Sequence, residues 1–321
     1  MTLLSPDEIA PVKRDLDRTL AALDSMLLGR PALHRLVIAG ILARGHILLE
    51  GLPGLGKTAL VTALAKILEL DAKRIQFTPD LMPSDIVGSH ILETRPDGSR
   101  EMAFKPGPVF CNLLLADEIN RASPKTQSAL LETMQERSVT LMGVTRRLPD
   151  PFFVLASQNP IELEGTYPLP EAQTDRFLFR LRVGSPDAAT LTAIISSRSQ
   201  GKMPDPNFSL SKDALTRAFD TASRVVLPDA VASWIGRLVA ATHGAEHVKY
   251  GASPRAAIAL AESARAFALL DGRPSVGFDD VRAVAIPVLN HRLVLDYRAS
   301  LDGVTSEDVA QRILDSVPVA E

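Results

Sequence analysis

Residues Gly51 to Thr58 read GLPGLGKT, the spacing G-x-x-x-x-G-K-[ST] that lets a loop wrap around a polyphosphate. The glycines allow backbone N–H groups to turn inward, and the Lys57 ammonium offers a compact charge to the β and γ phosphates. The Thr58 hydroxyl can ligate Mg²⁺. The whole loop, Gly51, Leu52, Pro53, Gly54, Leu55, Gly56, Lys57 and Thr58, is therefore expected to bind ATP. A glycine turn followed by a surface lysine is the plain alternative. A match of this kind arises by chance in about one chain in a hundred of this length, so the spacing favours function. The context agrees, with the apolar run HILLE before the loop and the helical pattern TALVTALAKILEL after it.

A second constellation lies at the end of NLLLADE, where a buried strand runs into Asp117 and Glu118. Ligands of open α/β sheets collect at the carboxyl ends of strands, which would bring Asp117 beside Mg²⁺ and leave Glu118 to polarise an attacking water. A strand leading into an acidic helix start would look the same in isolation. A further strand ends in Ser157, Gln158, Asn159 and Pro160. An amide there can bond both the attacking water and the γ-phosphate, whereas an asparagine before proline is otherwise a common turn residue.

These groups need a scaffold, and the rest of the chain describes one. At 321 residues, 46% apolar and 23% charged, it is long enough for one large and one smaller globular domain. The runs HILLE, RIQFT, CNLLLAD and FFVLASQ alternate with helical patterns, which implies a parallel sheet between helices. An N-terminal helix over 5–28, capped by Ser5 with Pro6 at its first position, precedes them, and another runs to about Ala43. Two hairpins interrupt the alternation. One pairs His90 to Thr94 with Arg100 to Phe104 around Asp97 and Gly98, and the other spans 138–148 around Met142 and Gly143. Beyond about Ser185 only amphipathic helices are expected, giving an α/β domain over 1–185 and an all-α domain over 186–321.

A formal charge of −3 without a dense basic block argues against a dedicated nucleic-acid binder and favours a protein partner. Cys111 is the only cysteine, which excludes an internal disulfide and a cysteine-ligated zinc site and suits a reducing compartment. The charged N-terminus shows no signal-peptide pattern and no apolar run is long enough to span a bilayer, so a cytoplasmic protein is expected. His243 and His247 stand four apart on a possible helix but lack a nearby third ligand, so no transition metal is assigned.

Taken together, GLPGLGKT, FTPDLMPSDIVG, FKPGPVFCNLLLADEINRASPKTQSALLETMQE, ASQNPIELEGTYPLPEAQTDRFLFR and GASPRA resemble the MoxR family of AAA+ ATPases over almost the whole chain. The resemblance implies an α/β AAA+ P-loop ATPase domain with an α-helical lid, assembled into a ring, usually a hexamer. It makes the hairpin at 90–104 an insertion in the second helix and that at 138–148 a pre-sensor insertion, both facing the pore or a client. It further implies that Arg176 is the arginine finger and Arg255 the second sensor. Without the resemblance, Arg176 could be a helix-end charge paired with Asp175, and Arg255 a solvated arginine at a helix N-terminus. The helix dipole disfavours a cation there, which hints at an anionic partner. Whether Arg255 serves its own site or a neighbour's is open. The D-x-S-x-S signature of von Willebrand factor A domains does not occur, so such a partner would be a separate chain.

The implied function is Mg-dependent ATP hydrolysis driving remodelling, maturation or cofactor insertion of a client protein. A nucleic-acid-directed AAA+ motor and a P-loop kinase acting on a small molecule are the alternatives. DNA-stimulated turnover with steep salt dependence would mark the first, and dependence on a small acceptor the second.

Overall fold

The computed structural model describes residues 3–52, 54–94, 96, 99–159, 166–197 and 204–319. Pro53 of the glycine loop and the Asp97 and Gly98 turn lie outside the described residues.

The chain opens with helices α1 (Pro6–Met26) and α2 (Pro31–Leu42). Ser5 caps α1 as expected. Its hydroxyl accepts from the Glu8 N–H while the Glu8 carboxylate accepts from the Ser5 N–H at 2.8 Å, a reciprocal box that satisfies two end groups. There follow β1 (Ile47–Glu50), α3 (Lys57–Ile67), β2 (Ala72–Gln76), α4 (Pro83–Val87), β3 (Gly88–Thr94), β4 (Arg100–Pro106) and β5 (Leu113–Asp117). Next come α5 (Pro124–Glu136), β6 (Ser138–Leu141), β7 (Val144–Arg147), β8 (Phe153–Gln158), α6 (Glu171–Thr174) and β9 (Phe179–Arg182).

Five of these strands pair in parallel in the order β2-β5-β8-β1-β9. The continuous apolar runs of β5 and β8 follow from burial on both faces. Successive side chains point to opposite faces, so Leu113 and Leu115 join one core with α1, α2 and α3. Leu114 and Ala116 join another with Leu130 and Met134 of α5. Strand β9 is an addition to the strands the sequence predicts, because only Phe179 and Leu181 are buried. Arg180 and Arg182 occupy its other face, where Arg182 meets Glu307 at 2.9 Å.

The remaining chain forms α7 (Ala188–Ser197), α8 (Lys212–Arg224), α9 (Asp229–Ala241), β10 (Val248–Tyr250), α10 (Pro254–Leu270), α11 (Phe278–Leu289), β11 (Val294–Leu295), α12 (Tyr297–Leu301) and α13 (Ser306–Ser316). Among the described residues it is helical apart from the antiparallel pair of β10 and β11 and a single bridge between Val226 and Ser275. Helix α1 packs on α3 and equally touches α8 and α10, so a single core runs from the sheet into this helical region. Among the described residues no helix is long and apolar enough to cross a membrane.

Both hairpins are present. The first runs from the Gly88 and Pro106 pair to the Thr94 and Arg100 pair, extending past its expected base. The second turns at Met142 (φ 50°) and Gly143 (φ 77°), both left-handed as a tight two-residue turn requires. Arg146 of β7 lies 4.0 Å over the Phe104 ring and 3.5 Å from His90 Nε2, which joins the two hairpins.

Candidate functional site

The glycine loop connects the carboxyl end of β1 to the first turn of α3. Gly54 (φ 80°) and Gly56 (φ 86°) take left-handed backbone that a side chain would strain, and a Cβ on either would meet open space. The space beside these two glycines is open, and the N-terminal N–H groups of α3 begin at the same turn, where an anion is favoured. Lys57 is buried, with Nζ 2.7 Å from the Gly51 carbonyl. Burial lowers its pKa while the charges of Asp117 and Glu118 oppose that shift, so the three groups share one field. Thr58 is exposed beside them. Arg30 clamps the loop from outside, donating to the Leu55 carbonyl at 2.6 Å and to the Gly184 carbonyl at 2.7 Å.

Asp117 and Glu118 end the neighbouring part of the same sheet edge. One hydroxyl organises both. Ser157 Oγ donates to Asp117 Oδ1 at 2.6 Å and accepts from the Glu118 N–H at 2.9 Å. Glu118 takes left-handed backbone (φ 56°, ψ 49°), a conformation costly for a non-glycine and repaid where the side chain must leave the strand in a fixed direction. Its carboxylate accepts from Gln76 at 2.7 Å and from Arg121 at 3.0 Å, while Arg74 donates to Asp117 Oδ2 at 2.7 Å. Asn159, two residues beyond Ser157, is buried at the same edge, and its carbonyl accepts from Asn120.

Beside the loop lies a cavity of about 270 Å³ lined mainly by aliphatic side chains of α1, α2, α3 and the 183–194 segment. An apolar chamber opening onto a phosphate-binding turn can take a flat ring attached to a polyphosphate.

Arg176 and Arg255 are elsewhere. They line a separate cavity of about 170 Å³ with His46, Met134, Gln135 and Asp175, and no residue of the glycine loop contributes to it. His46 immediately precedes β1 and Gly51 immediately follows it, and the Leu178 N–H bonds the His46 carbonyl. The two arginines therefore occupy the amino edge of the sheet, and the glycine loop its carboxyl edge. A five-residue rise at about 3.3 Å per residue puts about 16 Å between those edges, more than an arginine side chain spans. Arg176 does not pair with Asp175. It donates to the Leu131 carbonyl at 2.9 Å, and Asp175 is taken by Arg292 at 2.8 Å and Ser253 at 3.1 Å. Arg255 stands at the start of α10, 56% exposed and 4.0 Å from Asp175 Oδ2.

Comparisons with known proteins bear on the family and the fold. Residues 46–179 match the model of the ATPase family associated with various cellular activities, and 240–313 match the AAA lid domain. The chain is 43% identical to protein YeaC of Bacillus subtilis, over 95% of this chain and 94% of that one. It is 42% identical to the chaperone MoxR1 of Mycobacterium tuberculosis, over 95% and 82%, and 34% identical to MoxR of Paracoccus denitrificans, over 86% and 87%. The chain belongs to the MoxR family of AAA+ ATPases. A crystal structure from Cytophaga hutchinsonii described as a candidate ATPase superposes with a TM-score of 0.90 at 38% identity, covering 98% of each chain.

As a MoxR-family protein it binds nucleotide and is an ATPase. Several polar residues of its site escape any reading by motif. Ser157, Gln76, Arg74 and Arg30 are single polar residues whose relevance comes from strand pairing or helix position, with no spacing to announce them. Arg292 is the clearest case. From the end of α11 this buried guanidinium bonds Asp175 Oδ1 and the carbonyls of Asp175, Phe177, Leu178 and Val288, pinning the segment that carries Arg176 to the lid.

Proposed function

We propose that this MoxR-family chain hydrolyses ATP with Mg²⁺ at the carboxyl edge of its sheet, as one subunit of a ring that remodels a separate partner protein. The observation that carries the reading is the division of charged groups between opposite edges. Lys57, Thr58, Asp117, Glu118 and Asn159 stand on one edge, and Arg176 and Arg255 on the other. A site completed by the neighbour's arginines explains why they are conspicuous yet remote from their own phosphate loop.

In this reading the loop 51–58 cradles the phosphates and Lys57 swings from the Gly51 carbonyl to the β and γ oxygens. Glu118 takes a proton from the attacking water, and the Asn159 amide bonds that water and the γ-phosphate. Thr58 and Asp117 would hold Mg²⁺. The donors fit, being a hydroxyl and a carboxylate, the hard oxygens Mg²⁺ accepts when phosphates and water complete its shell. When bound, the ion would neutralise charge developing on the phosphates. Arg74 must first release Asp117 Oδ2. Lys57→Ala should weaken ATP binding at least about tenfold, since Lys57 is the cation of the loop itself and Arg30 is held by the Leu55 and Gly184 carbonyls. Titration with a fluorescent ATP analogue checks this, and wild-type affinity would remove Lys57 from the phosphate site.

Residues 1–185 would form the ATPase body and 186–321 the lid, consistent with the matched segments 46–179 and 240–313. A hexamer is the proposed ring and the cytoplasm the proposed location. The client, as the name chaperone suggests for the mycobacterial relative, would be another protein, for which a von Willebrand factor A domain is one form. The hairpins supply a surface for it. Leu92 and Met102 face each other across β3 and β4 at 58% and 56% exposure, and Met142 stands at the tip of the second hairpin. Excising the distal part of the first hairpin, 92–102, should leave basal ATPase activity within about twofold while removing client stimulation. Equal loss of both would assign the hairpin a structural role.

A further inference from the structure

The cavity beside the glycine loop is walled by aliphatic groups such as Met26, Leu33, Leu60 and Val183, and three charged or titratable side chains interrupt that wall. Arg30 is committed to two loop carbonyls, and Lys57 belongs to the phosphate end. His34 remains. It is 1% exposed, on the second turn of α2, with Nδ1 2.5 Å from Oδ1 of Asp24 on α1.

A carboxylate can only accept, so this contact places the ring proton on Nδ1 and leaves Nε2 as a lone-pair acceptor. Burial holds the ring below its ordinary pKa, with Asp24 opposing, so the imidazole is neutral at pH 7. Nε2 makes no hydrogen bond with a described residue. His34 lines the cavity, and Nε2, which is not fully enclosed, can meet a donor there.

We propose that His34, its tautomer fixed by Asp24, reads the base of the nucleotide as a hydrogen-bond acceptor and makes the site select adenine over 6-oxopurines, an inference that rests on assigning this cavity to the base of ATP. Adenine carries an amino group at position 6 that donates to Nε2. Hypoxanthine and guanine carry a carbonyl oxygen there, whose lone pairs would face that of the imidazole with no proton between them. A site built around one hydrogen bond rejects the analogue that cannot make it, because the buried partner is then left unsatisfied.

The test is competition of ATP and ITP against a fluorescent ADP analogue on the full chain. Wild type should prefer ATP by at least about tenfold, the cost of one unmade buried bond. His34→Leu should bring the two affinities within about threefold of each other. Asp24→Ala, at a half-exposed position that does not threaten the fold, should narrow the preference by freeing the tautomer. Equal wild-type affinities, or a preference unchanged in folded Asp24→Ala, would overturn the proposal. Leu33→Trp separates it from the assignment beneath. If filling the cavity leaves ATP binding intact, the cavity does not hold the base. If it abolishes binding while the two other variants keep the wild-type preference, only the role of His34 falls.

Discussion

Glu118→Gln is expected to bind ATP normally and to hydrolyse it about 10² to 10⁴ times more slowly, the range lost when a positioned general base is removed. The substitution is close to isosteric, and the local supports survive it. The backbone N–H still bonds Ser157 Oγ, and an amide oxygen can still accept from Gln76 and Arg121. Asp117 keeps its bond from Ser157. What disappears is the ability to take a proton from water. Single-turnover hydrolysis together with nucleotide affinity decides the matter. Turnover near wild type would show that Glu118 is not the base, and a parallel loss of affinity would show that it organises the loop instead.

The same site shows what the sequence could and could not convey. The glycine loop and the acids at the end of β5 are legible because their chemistry requires residue types at fixed local spacing, and their flanks carry strong strand and helix patterns. Strand β9 is not, because its two arginines answer to Glu50 and Glu307, residues far away in the chain. The pairing of β10 with β11 joins segments of three and two residues separated by α10 and α11, too short for any periodicity. Arg292 reads as an ordinary arginine after a helix, yet it makes five hydrogen bonds in the interior. Its burial lowers its pKa and the Asp175 charge opposes that effect, so the pair holds only with both members present. Sequence alone leaves open a pairing of Arg176 with Asp175 as the alternative to an arginine finger. The fold gives Asp175 to Arg292 and leaves Arg176 facing a surface cavity.

That separation leads to the other large effect. Arg176→Ala should retain ATP binding while losing about 10³ to 10⁵ in turnover, the contribution of an arginine supplied to the transition-state charge. Within one chain the guanidinium stands at the amino edge of the sheet and the phosphate loop at the carboxyl edge, so in the proposed ring the loss is expected at the neighbouring subunit's site. Arg255 shares the cavity, and its exposed position at the start of α10 would let it act across the interface of that proposed ring. Glu118→Gln and Arg176→Ala are then inactive for complementary reasons. Each keeps the group the other lacks. If the subunits exchange freely in equal amounts, a site has an intact Glu118 half the time and an intact neighbouring Arg176 half the time. About one interface in four is complete, and ATPase activity should rise far above either variant alone. The measurement is turnover of the mixture after exchange has been verified by labelled subunits. Activity no higher than the mean of the separate variants would rule out the supply of Arg176 in trans, and with it the reason for placing the site between subunits of a ring.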